Sequence, residues 1–323
     1  MKAVVCTKYG PPEVLQIQEV KKPVPKENEV LIKVMASTVS AADYRVRSFK
    51  VPLALWLPAR LIMGIGRPKR PILGAELSGI IAQVGNKVTR FKPGDEIFAA
   101  TLPVFGGYAE YACLPEGTSI ALKPNTTSWE EAALLPIGAK TALFYLNKAN
   151  LEKGQKILIY GASGSVGTYA IQLAKHFGAE VTAVCSESNF DLATSLGADH
   201  VIDYTKKNWD DALSKYNVFF VAVDKCPFSI AAKTLYANGT YINISNPIKS
   251  PSMMRKSLFH KMRILMANDF PESFDDLCYI KHLVETKILR PVRDKTYLLD
   301  EIIEAHQYVD KGHKKGNVAI KII

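Results

Sequence analysis

The chain has 323 residues, a length that favours two domains over a single hydrophobic core. It is 48% hydrophobic and 22% charged, as in ordinary globular proteins. Its five cysteines are odd in number and form no CxxC pair. These two features of the cysteines disfavour a disulfide framework and a cysteine-rich zinc site, and they point to a reducing compartment, the cytoplasm. The net charge of +10 comes with no zinc finger, arginine-rich arm or RNA-binding aromatic motif, so we interpret it as a solvated basic surface and expect no nucleic-acid partner.

The first third of the chain predicts β-structure. Its opening, MKAVVCTKYG, turns polar too early for a signal peptide. Apolar or alternating runs are separated by Gly- and Pro-rich turns; they read MKAVVCT, VLQIQEV, EVLIKVMAS, LSGIIAQVG, GDEIFAAT and GGYAEYACL. This spacing predicts a β-barrel-like domain.

The apolar stretch Val51–Gly66, VPLALWLPARLIMGIG, interrupts this pattern. It is too short to span a bilayer and contains Pro52, Pro58 and Arg60. Three interpretations stay open: a loop or helix that caps the core, a lid over an apolar substrate, or a surface anchor beside the basic run GRPKR. Membrane contact is not the favoured expectation.

Strands and helices alternate in the second half. Ser128 and Glu131 have the spacing of a helix-capping box. The order of strands and helices predicts a doubly wound parallel sheet, with strands at Lys156–Tyr160, Val181–Cys185, His200–Asp203, Val218–Val223, Thr240–Ile244 and Arg263–Met266. The tail from about Phe270 is predicted to hold a helix, a second helix near Leu299–Val309 and a closing strand, Val318–Ile323.

The turn GASGSVG follows the first of these strands and opens a helix with an apolar stripe that ends near Gly178. Gly161, Gly164 and Gly167 are spaced by three residues, as in dinucleotide-binding turns. Without Cβ atoms, the backbone N–H groups of such a turn can approach a pyrophosphate at the helix N-terminus. The sequence therefore predicts a nicotinamide dinucleotide site.

Several motifs together resemble the medium-chain dehydrogenase/reductase superfamily, in its zinc-free quinone oxidoreductase branch that includes zeta-crystallin. They are YGPPEVL, PILGAELSGIIAQVG, FKPGDEIFA, FGGYAEYA, GASGSVG, SLGADHVIDY and GHKKGNVAIKI. The resemblance implies an α/β fold, with a GroES-like catalytic domain at 1–123 and 270–323 and a Rossmann domain at 124–269. It also implies a homodimer paired through the strand near Arg263–Met266.

The resemblance further implies that no zinc is bound. Zinc alcohol dehydrogenases of this superfamily have a cysteine and a histidine where this chain has Ser40 and Ala75, and neither of these is a zinc ligand. Asp43 and Glu76, which lie beside the metal in such enzymes, are expected to form a buried network with a nearby arginine such as Arg47.

A nicotinamide can deliver hydride without a metal when the acceptor is conjugated, so the expected substrate is a small apolar quinone or α,β-unsaturated carbonyl compound. Ser40 and Tyr44 lie in the loop that faces the nicotinamide in this family. Either hydroxyl is a candidate donor to the acceptor oxygen, and Tyr44 is also a candidate proton relay. The alternatives are that both side chains only satisfy loop backbone groups and that water donates the proton.

NADPH is the expected cofactor, with NADH as the alternative. Ser186 stands where NAD-specific sites have an acid, although Glu187 next to it is an objection. The cofactor contacts implied are Thr141, Gly161, Ser163, Gly164, Ser165, Val166, Gly167, Ser186, Asn189, Tyr204 and Ser245. Asp224 replaces a glycine usual in the family, and its role is left open.

Two other functions fit the same motifs. An enoyl-thioester reductase would have the same cofactor-binding half. A nucleotide-binding protein with a non-catalytic role at a membrane or on RNA would use the basic clusters and the Val51–Gly66 stretch.

Overall fold

The computed structural model describes residues 1–51, 55–267 and 273–323 and divides the chain into two compact units. The first unit comprises Met1–Ile137, Glu272–Thr286 and Pro291–Ile323, and the second comprises Gly138–Pro271 and Lys287–Arg290. The predicted domain boundaries at 123/124 and 269/270 stay predictions. The second boundary and the predicted start of the tail near Phe270 lie outside the described residues.

The first unit contains the predicted β-structure. Its strands are β1 (Lys2–Cys6), β2 (Leu15–Glu19), β3 (Glu29–Thr38), β4 (Glu76–Val84), β5 (Glu96–Ala100), β6 (Tyr111–Pro115), β7 (Ile120–Leu122), β14 (Arg293–Leu298) and β15 (Asn317–Lys321). A seven-stranded sheet has the order β14-β15-β3-β4-β5-β7, with β6 also paired to β3, and β1 pairs with β2 in a separate ribbon. Strand β3 is central because its run of Val, Leu and Ile packs on both faces.

The described helices of this unit are α1 (Ala41–Ser48), α2 (Trp56–Met63), α3 (Trp129–Ala133), α9 (Phe274–Glu285) and α10 (Ile302–Asp310). The capping box predicted for α3 is confirmed, since Ser128 Oγ accepts from Glu131 N at 3.2 Å and Glu131 Oε2 accepts from Ser128 N at 2.9 Å. The apolar stretch Val51–Gly66 contains α2, and residues 52–54 of that stretch lie outside the described residues.

The second unit contains the predicted parallel sheet, with the order β10-β9-β8-β11-β12-β13. The strands are β8 (Lys156–Tyr160), β9 (Glu180–Cys185), β10 (His200–Asp203), β11 (Tyr216–Val221), β12 (Leu235–Asn243) and β13 (Arg263–Met266). In chain order this is the 3-2-1-4-5-6 arrangement of dinucleotide-binding folds, with the switch point between β8 and β11. Two predicted strands differ at both ends: β11 is Tyr216–Val221 rather than Val218–Val223, and β12 is Leu235–Asn243 rather than Thr240–Ile244.

Helices α4 (Gly138–Lys148), α5 (Ser165–His176), α6 (Phe190–Ser195), α7 (Phe228–Thr234) and α8 (Pro251–His260) complete this unit. Helix α5 ends as the sequence predicts, with Gly178 in a left-handed conformation at φ +78°. Across the described ranges, no helix is both long enough and apolar enough to cross a membrane. The five cysteines are all free thiols.

Candidate functional site

The turn between β8 and α5 uses its three glycines for two different purposes. A Cβ on Gly161, at φ +79°, would lie 2.9 Å from Val223 Cγ2, and a Cβ on Gly167 would lie 2.3 Å from Gly161 O. Protein packing therefore requires both of these glycines. A Cβ on Gly164 would meet nothing closer than Gly161 O at 3.4 Å. The space beside Gly164 is therefore open to a ligand.

The N-terminus of α5 opens onto this space. Gly164 is its N-cap residue, and within the described part of the chain no side chain caps the helix. The first-turn N–H groups of Ser165, Val166 and Gly167 have no intrahelical acceptor, and the helix dipole adds partial positive charge there. Ser163 is half-buried in the same turn. A pyrophosphate fits this combination of open space and N–H donors.

The end of β9 brings together several polar side chains. Asn189 Nδ2 donates to Ser186 Oγ at 2.9 Å, and Ser186 Oγ lies 3.2 Å from Ser188 Oγ. Asn189 is 8% exposed, and its Oδ1 has no hydrogen-bond partner among the described residues. Buried polar atoms are normally satisfied, so this oxygen indicates room for a donor from a bound ligand.

Glu187, the acidic residue beside Ser186, is turned toward a cation. Its Oε2 lies 3.8 Å from Lys206 Nζ, in the loop that follows β10. Sequence reasoning missed Lys206 because it lies 20 positions after Ser186. The parallel pairing of β9 with β10 brings the two loops together. Tyr204, in the same loop, packs its ring 5.9 Å from that of Tyr160.

Of the remaining predicted cofactor residues, Ser245 follows β12 and Thr141 lies on α4. Ser245 Oγ donates to Ala222 O at 2.7 Å and so fixes the loop after β11. Asp224 in that loop accepts from Asn243 Nδ2 at 2.9 Å and from Asn246 Nδ2 at 3.1 Å. Thr141, on α4, is 8% exposed. It is one turn from Gly138, where an added Cβ would lie 2.8 Å from Ser165 Oγ.

The two predicted catalytic residues lie on α1 in the first unit and have different environments. Ser40 is the N-cap residue: its Oγ donates to Asp43 Oδ2 at 2.6 Å and accepts from the N–H groups of Ala42 and Asp43. Tyr44 is half-buried, and its hydroxyl accepts a hydrogen bond from Lys50 Nζ. The proton of the Ser40 hydroxyl is already engaged, whereas Tyr44 keeps its own proton for donation.

Asp43 and Glu76 are buried, as the sequence predicts, but Arg47 is not their partner. Asp43 Oδ1 accepts from Gly74 N at 2.9 Å. Arg47 instead donates to Asp310 Oδ2 at 2.5 Å and to Gly10 O at 2.8 Å. The expected arginine is wrong because the Arg47 guanidinium bonds to Asp310 on α10 and to Gly10, although Arg47 and Asp43 lie four positions apart on the same face of α1.

Glu76 is held by neutral hydrogen-bond donors, and the charge of Lys314 acts on it as a smaller influence. Its two oxygens accept from Thr38 Oγ1 at 2.6 Å and from Ile137 N at 2.9 Å. Burial raises the pKa of Glu76 to about 7, although these hydrogen bonds and the charge of Lys314 lower it. Burial likewise lowers the pKa of Lys314 to about 8. Lys314, in the terminal GHKKGN motif, is thus the cation that acts on Glu76.

Comparison with known proteins identifies this arrangement. Residues 26–125 match the family described as "Alcohol dehydrogenase GroES-like domain", and residues 196–320 match "Zinc-binding dehydrogenase". The chain is 32% identical to the Mus musculus protein named "NAD(P)H oxidoreductase RTN4IP1, mitochondrial", over 100% of this chain and 89% of that protein. The chain belongs to the medium-chain dehydrogenase/reductase superfamily.

Other members of the superfamily agree with this assignment. The Solanum lycopersicum protein named "2-methylene-furan-3-one reductase" is 32% identical over 99% of this chain and 79% of its own length. The solved quinone oxidoreductase of Coxiella burnetii superposes with a TM-score of 0.86 at 27% identity, covering 100% of this chain and 99% of its own.

At the positions where zinc alcohol dehydrogenases of the superfamily carry metal ligands, the residues here are Ser40 and Ala75. Ser40 caps α1, and Ala75 is buried with no metal-ligating atom. Within residues 1–51, 55–267 and 273–323, no group of three or more His, Cys, Asp or Glu side chains is arranged to hold a metal ion. Zinc independence stays a prediction.

Proposed function

We propose that this protein is an NADPH-dependent, zinc-independent reductase of quinones or α,β-unsaturated carbonyl compounds. The observation that carries the proposal is the open space at Gly164 in front of the uncapped N-terminus of α5. The names of the relatives support the acceptor class: one is a reductase of an exocyclic enone, and a solved neighbour is a quinone oxidoreductase.

The residues present fit a dinucleotide. The N–H groups of Ser165, Val166 and Gly167 would hold the pyrophosphate, and the hydroxyls near Ser186 would meet the adenosine ribose. When bound, the nicotinamide supplies the hydride. The protein's own contribution is to hold the pyrophosphate and to provide hydrogen bonds where negative charge develops on the acceptor oxygen.

We favour NADPH over NADH because the end of β9 offers hydroxyls and a cation to a 2′-phosphate. Ser186 and Ser188 supply the hydroxyls, and Lys206 lies close enough to Glu187 to offset that carboxylate. The KM for NADPH should be lower than that for NADH. Lys206→Ala should raise the KM for NADPH about fivefold and leave that for NADH unchanged, the size expected for one exposed charge. Lys153→Ala, at another exposed position of the same unit, is the control.

The activation of the acceptor is assigned to Tyr44. Lys50 donates to the Tyr44 hydroxyl, and a hydroxyl that accepts from a cation becomes a better donor itself. Tyr44 would therefore donate its proton in a hydrogen bond to the carbonyl or quinone oxygen as charge builds there. Ser40 is assigned to the positioning of α1 through its cap.

We further propose that catalysis needs no zinc, because Ser40 and Ala75 provide no ligand pair. Purified protein should contain far less than one zinc per chain and should keep its activity in strong chelator. One zinc per chain, with activity lost on chelation and restored by zinc, would contradict this.

Two further assignments concern the oligomeric state and the compartment. Strand β13 (Arg263–Met266) ends the parallel sheet and pairs with β12 alone among the described strands, and edge pairing across a two-fold axis would cover it. A dimer should therefore be seen by sedimentation at micromolar concentration. The free thiols support a reducing compartment such as the cytoplasm, although several relatives are named mitochondrial and others chloroplastic.

The function is tested by NADPH oxidation with a panel of quinones, enones, enals and enoyl thioesters, combined with product analysis. Reduction of the carbon–carbon double bond of enones, or of quinones to hydroquinones, supports the proposal. Strong preference for enoyl thioesters would favour the enoyl-thioester reductase instead. Tight NADPH binding without oxidation of any of these acceptors would favour a non-catalytic role.

A further inference from the structure

Helix α2 is unusual because none of its eight residues is buried. A helix at the surface of a globular protein normally buries one apolar face. Here six large apolar side chains, in or next to the helix, are between 40% and 76% exposed: Leu55, Trp56, Leu57, Leu61, Ile62 and Ile65. A contiguous exposed apolar patch of this kind marks an interaction surface.

The sequence around α2 is strongly basic. Between Asp43 and Glu76 it has no acidic residue and seven basic ones: Arg45, Arg47, Lys50, Arg60, Arg67, Lys69 and Arg70. Arg47 is buried and paired with Asp310, so it is not part of the surface. Arg67, Lys69 and Arg70 are exposed and follow the helix directly. Lys69 Nζ donates to Leu61 O at 2.8 Å. This bond holds the basic segment against the helix, so the apolar and cationic groups form one surface.

Arg60 attaches α2 to the end of α1 in the same unit. Its guanidinium lies 3.8 Å from the centre of the Phe49 ring and 5.1 Å from that of Trp56. Phe49 is buried at the end of α1. The inner side of α2 is therefore anchored by this stack, while Leu57, Leu61 and Ile62 face solvent.

We propose that α2 and the basic segment 64–70 form a docking site for a membrane surface rich in acidic phospholipids. An eight-residue helix is about 12 Å long, too short to span a bilayer, but it can lie in the headgroup region with its apolar side chains inserted. The adjacent cations complement anionic headgroups. This proposal does not depend on the reductase function.

The charge of the patch argues against a second copy of the chain as its occupant. In a two-fold symmetric contact the same patch faces itself, so the basic residues of both copies would be brought together without an acid between Asp43 and Glu76 to offset them. A lid over an apolar substrate would use the apolar side chains but leaves Arg67, Lys69 and Arg70 without a role.

The test is co-sedimentation of the full chain with vesicles of phosphatidylcholine and phosphatidylglycerol, compared with phosphatidylcholine alone, at physiological salt. The wild type should bind the acidic vesicles, and higher salt should weaken the binding. Leu61→Ser combined with Ile62→Ser should reduce partitioning on the order of tenfold or more, because two exposed apolar side chains are lost. Arg67→Glu should reduce it by about fivefold or more.

Two matched variants control for changes elsewhere on the first unit. Val24→Ser with Ile323→Ser removes two exposed apolar side chains outside the patch. Lys21→Glu reverses an exposed charge that also lies outside the patch. Both should bind within about twofold of the wild type. Trp56 gives a second readout, since its emission should shift to the blue on acidic vesicles and Trp56→Phe should abolish that shift.

Three outcomes would overturn the proposal: no binding of the wild type to acidic vesicles, equal binding to vesicles without acidic lipid, or equal binding of the patch and control variants. A change in sedimentation mass caused by Leu61→Ser and Ile62→Ser, without vesicle binding, would assign the patch to self-association instead. No step of the test requires catalytic activity, so its failure would leave the reductase proposal standing.

Discussion

Arg47 and Asp310 form an ion pair that joins α1 to α10 across 263 positions of sequence, with 2.5 Å between Nη2 and Oδ2. The Arg47 side chain is fully buried, and that of Asp310 is 26% exposed. Arg47 Nη1 also donates to Gly10 O. A buried guanidinium requires such partners because its desolvation is otherwise uncompensated.

Removal of the carboxylate should therefore destabilise the protein strongly. Asp310→Ala leaves the Arg47 charge buried without its anion, and we expect a loss of about 3 kcal/mol in the free energy of unfolding. The measurement is urea denaturation at pH 7. Asp300→Ala is the control, because Asp300 pairs with Lys2 at an exposed position and should cost less than about 1 kcal/mol. Equal losses in the two variants would contradict the role assigned to Arg47.

His306, also on α10, makes stability fall at acid pH. Both of its ring nitrogens are buried without hydrogen-bond partners among the described residues, and its ring packs edge-on against Tyr108 at 5.7 Å. Burial, with the charge of Arg47 as a smaller cause, lowers the pKa of His306 from 6.5 to about 3. The unfolded chain therefore takes up this proton first, and the stability from neutral His306 is lost as pH falls from 6.5 towards 3.

His306→Phe should remove this dependence. Relative to the wild type, the variant should gain about 3 kcal/mol in the free energy of unfolding between pH 6.5 and pH 4. Glu76 has the opposite effect on the pH dependence of stability, because its raised pKa stabilises the fold as pH falls below 7. The contribution of His306 is therefore taken from the difference in unfolding free energy between the variant and the wild type. His306→Leu tests a smaller replacement, and His313→Phe, at an exposed position, is the control. Parallel pH profiles for His306→Phe and the wild type would show that His306 does not titrate as assigned.

Local sequence patterns predicted much of the fold. The strands Lys156–Tyr160, His200–Asp203 and Arg263–Met266 were placed correctly because buried parallel strands are short apolar runs bounded by polar turns. The end of β11 was misplaced because Val223 is apolar but lies beyond the strand, in the loop beside Gly161, where it is 39% exposed. Hydropathy alone does not show that an apolar residue after a strand belongs to an exposed loop.

The parts of the site that sequence missed depend on distant pairing. Lys206 reaches Glu187 only through the pairing of β10 with β9. Arg47 finds Asp310 rather than Asp43 because α10 packs on α1. The burial of Asp43 and Glu76 was predictable from motif resemblance, but the neutral donors of Glu76, Thr38 and Ile137, come from separate segments.

Gly164→Val should abolish NADPH binding while the fold persists. Gly164 has an ordinary φ of −81°, and its Cβ would meet only Gly161 O at 3.4 Å, so the side chain would fill the space assigned to the pyrophosphate. We expect the affinity to fall on the order of a hundredfold or more, because the backbone donors are blocked. Titration calorimetry and a thermal melt measure the two properties. Gly117→Val, where a Cβ meets nothing within 4 Å, is the control, and an unchanged NADPH affinity in Gly164→Val would show that the turn is only structural.

The last prediction separates catalysis from positioning on α1. Tyr44→Phe removes the hydroxyl that accepts from Lys50 and should lower kcat more than it raises KM, by on the order of ten- to a thousandfold, as for the loss of one preorganised donor. Lys50→Met should lower kcat less, since Tyr44 keeps its proton. Ser40→Ala should leave kcat nearly unchanged but destabilise the protein by about 1 kcal/mol, because the cap of α1 is lost. The measurement is steady-state and single-turnover reduction of an enone, with NADPH affinity determined separately. If both Tyr44→Phe and Lys50→Met turn over within about twofold of the wild type, the acceptor oxygen takes its hydrogen bonds from water or from the cofactor, and Tyr44 has no catalytic role.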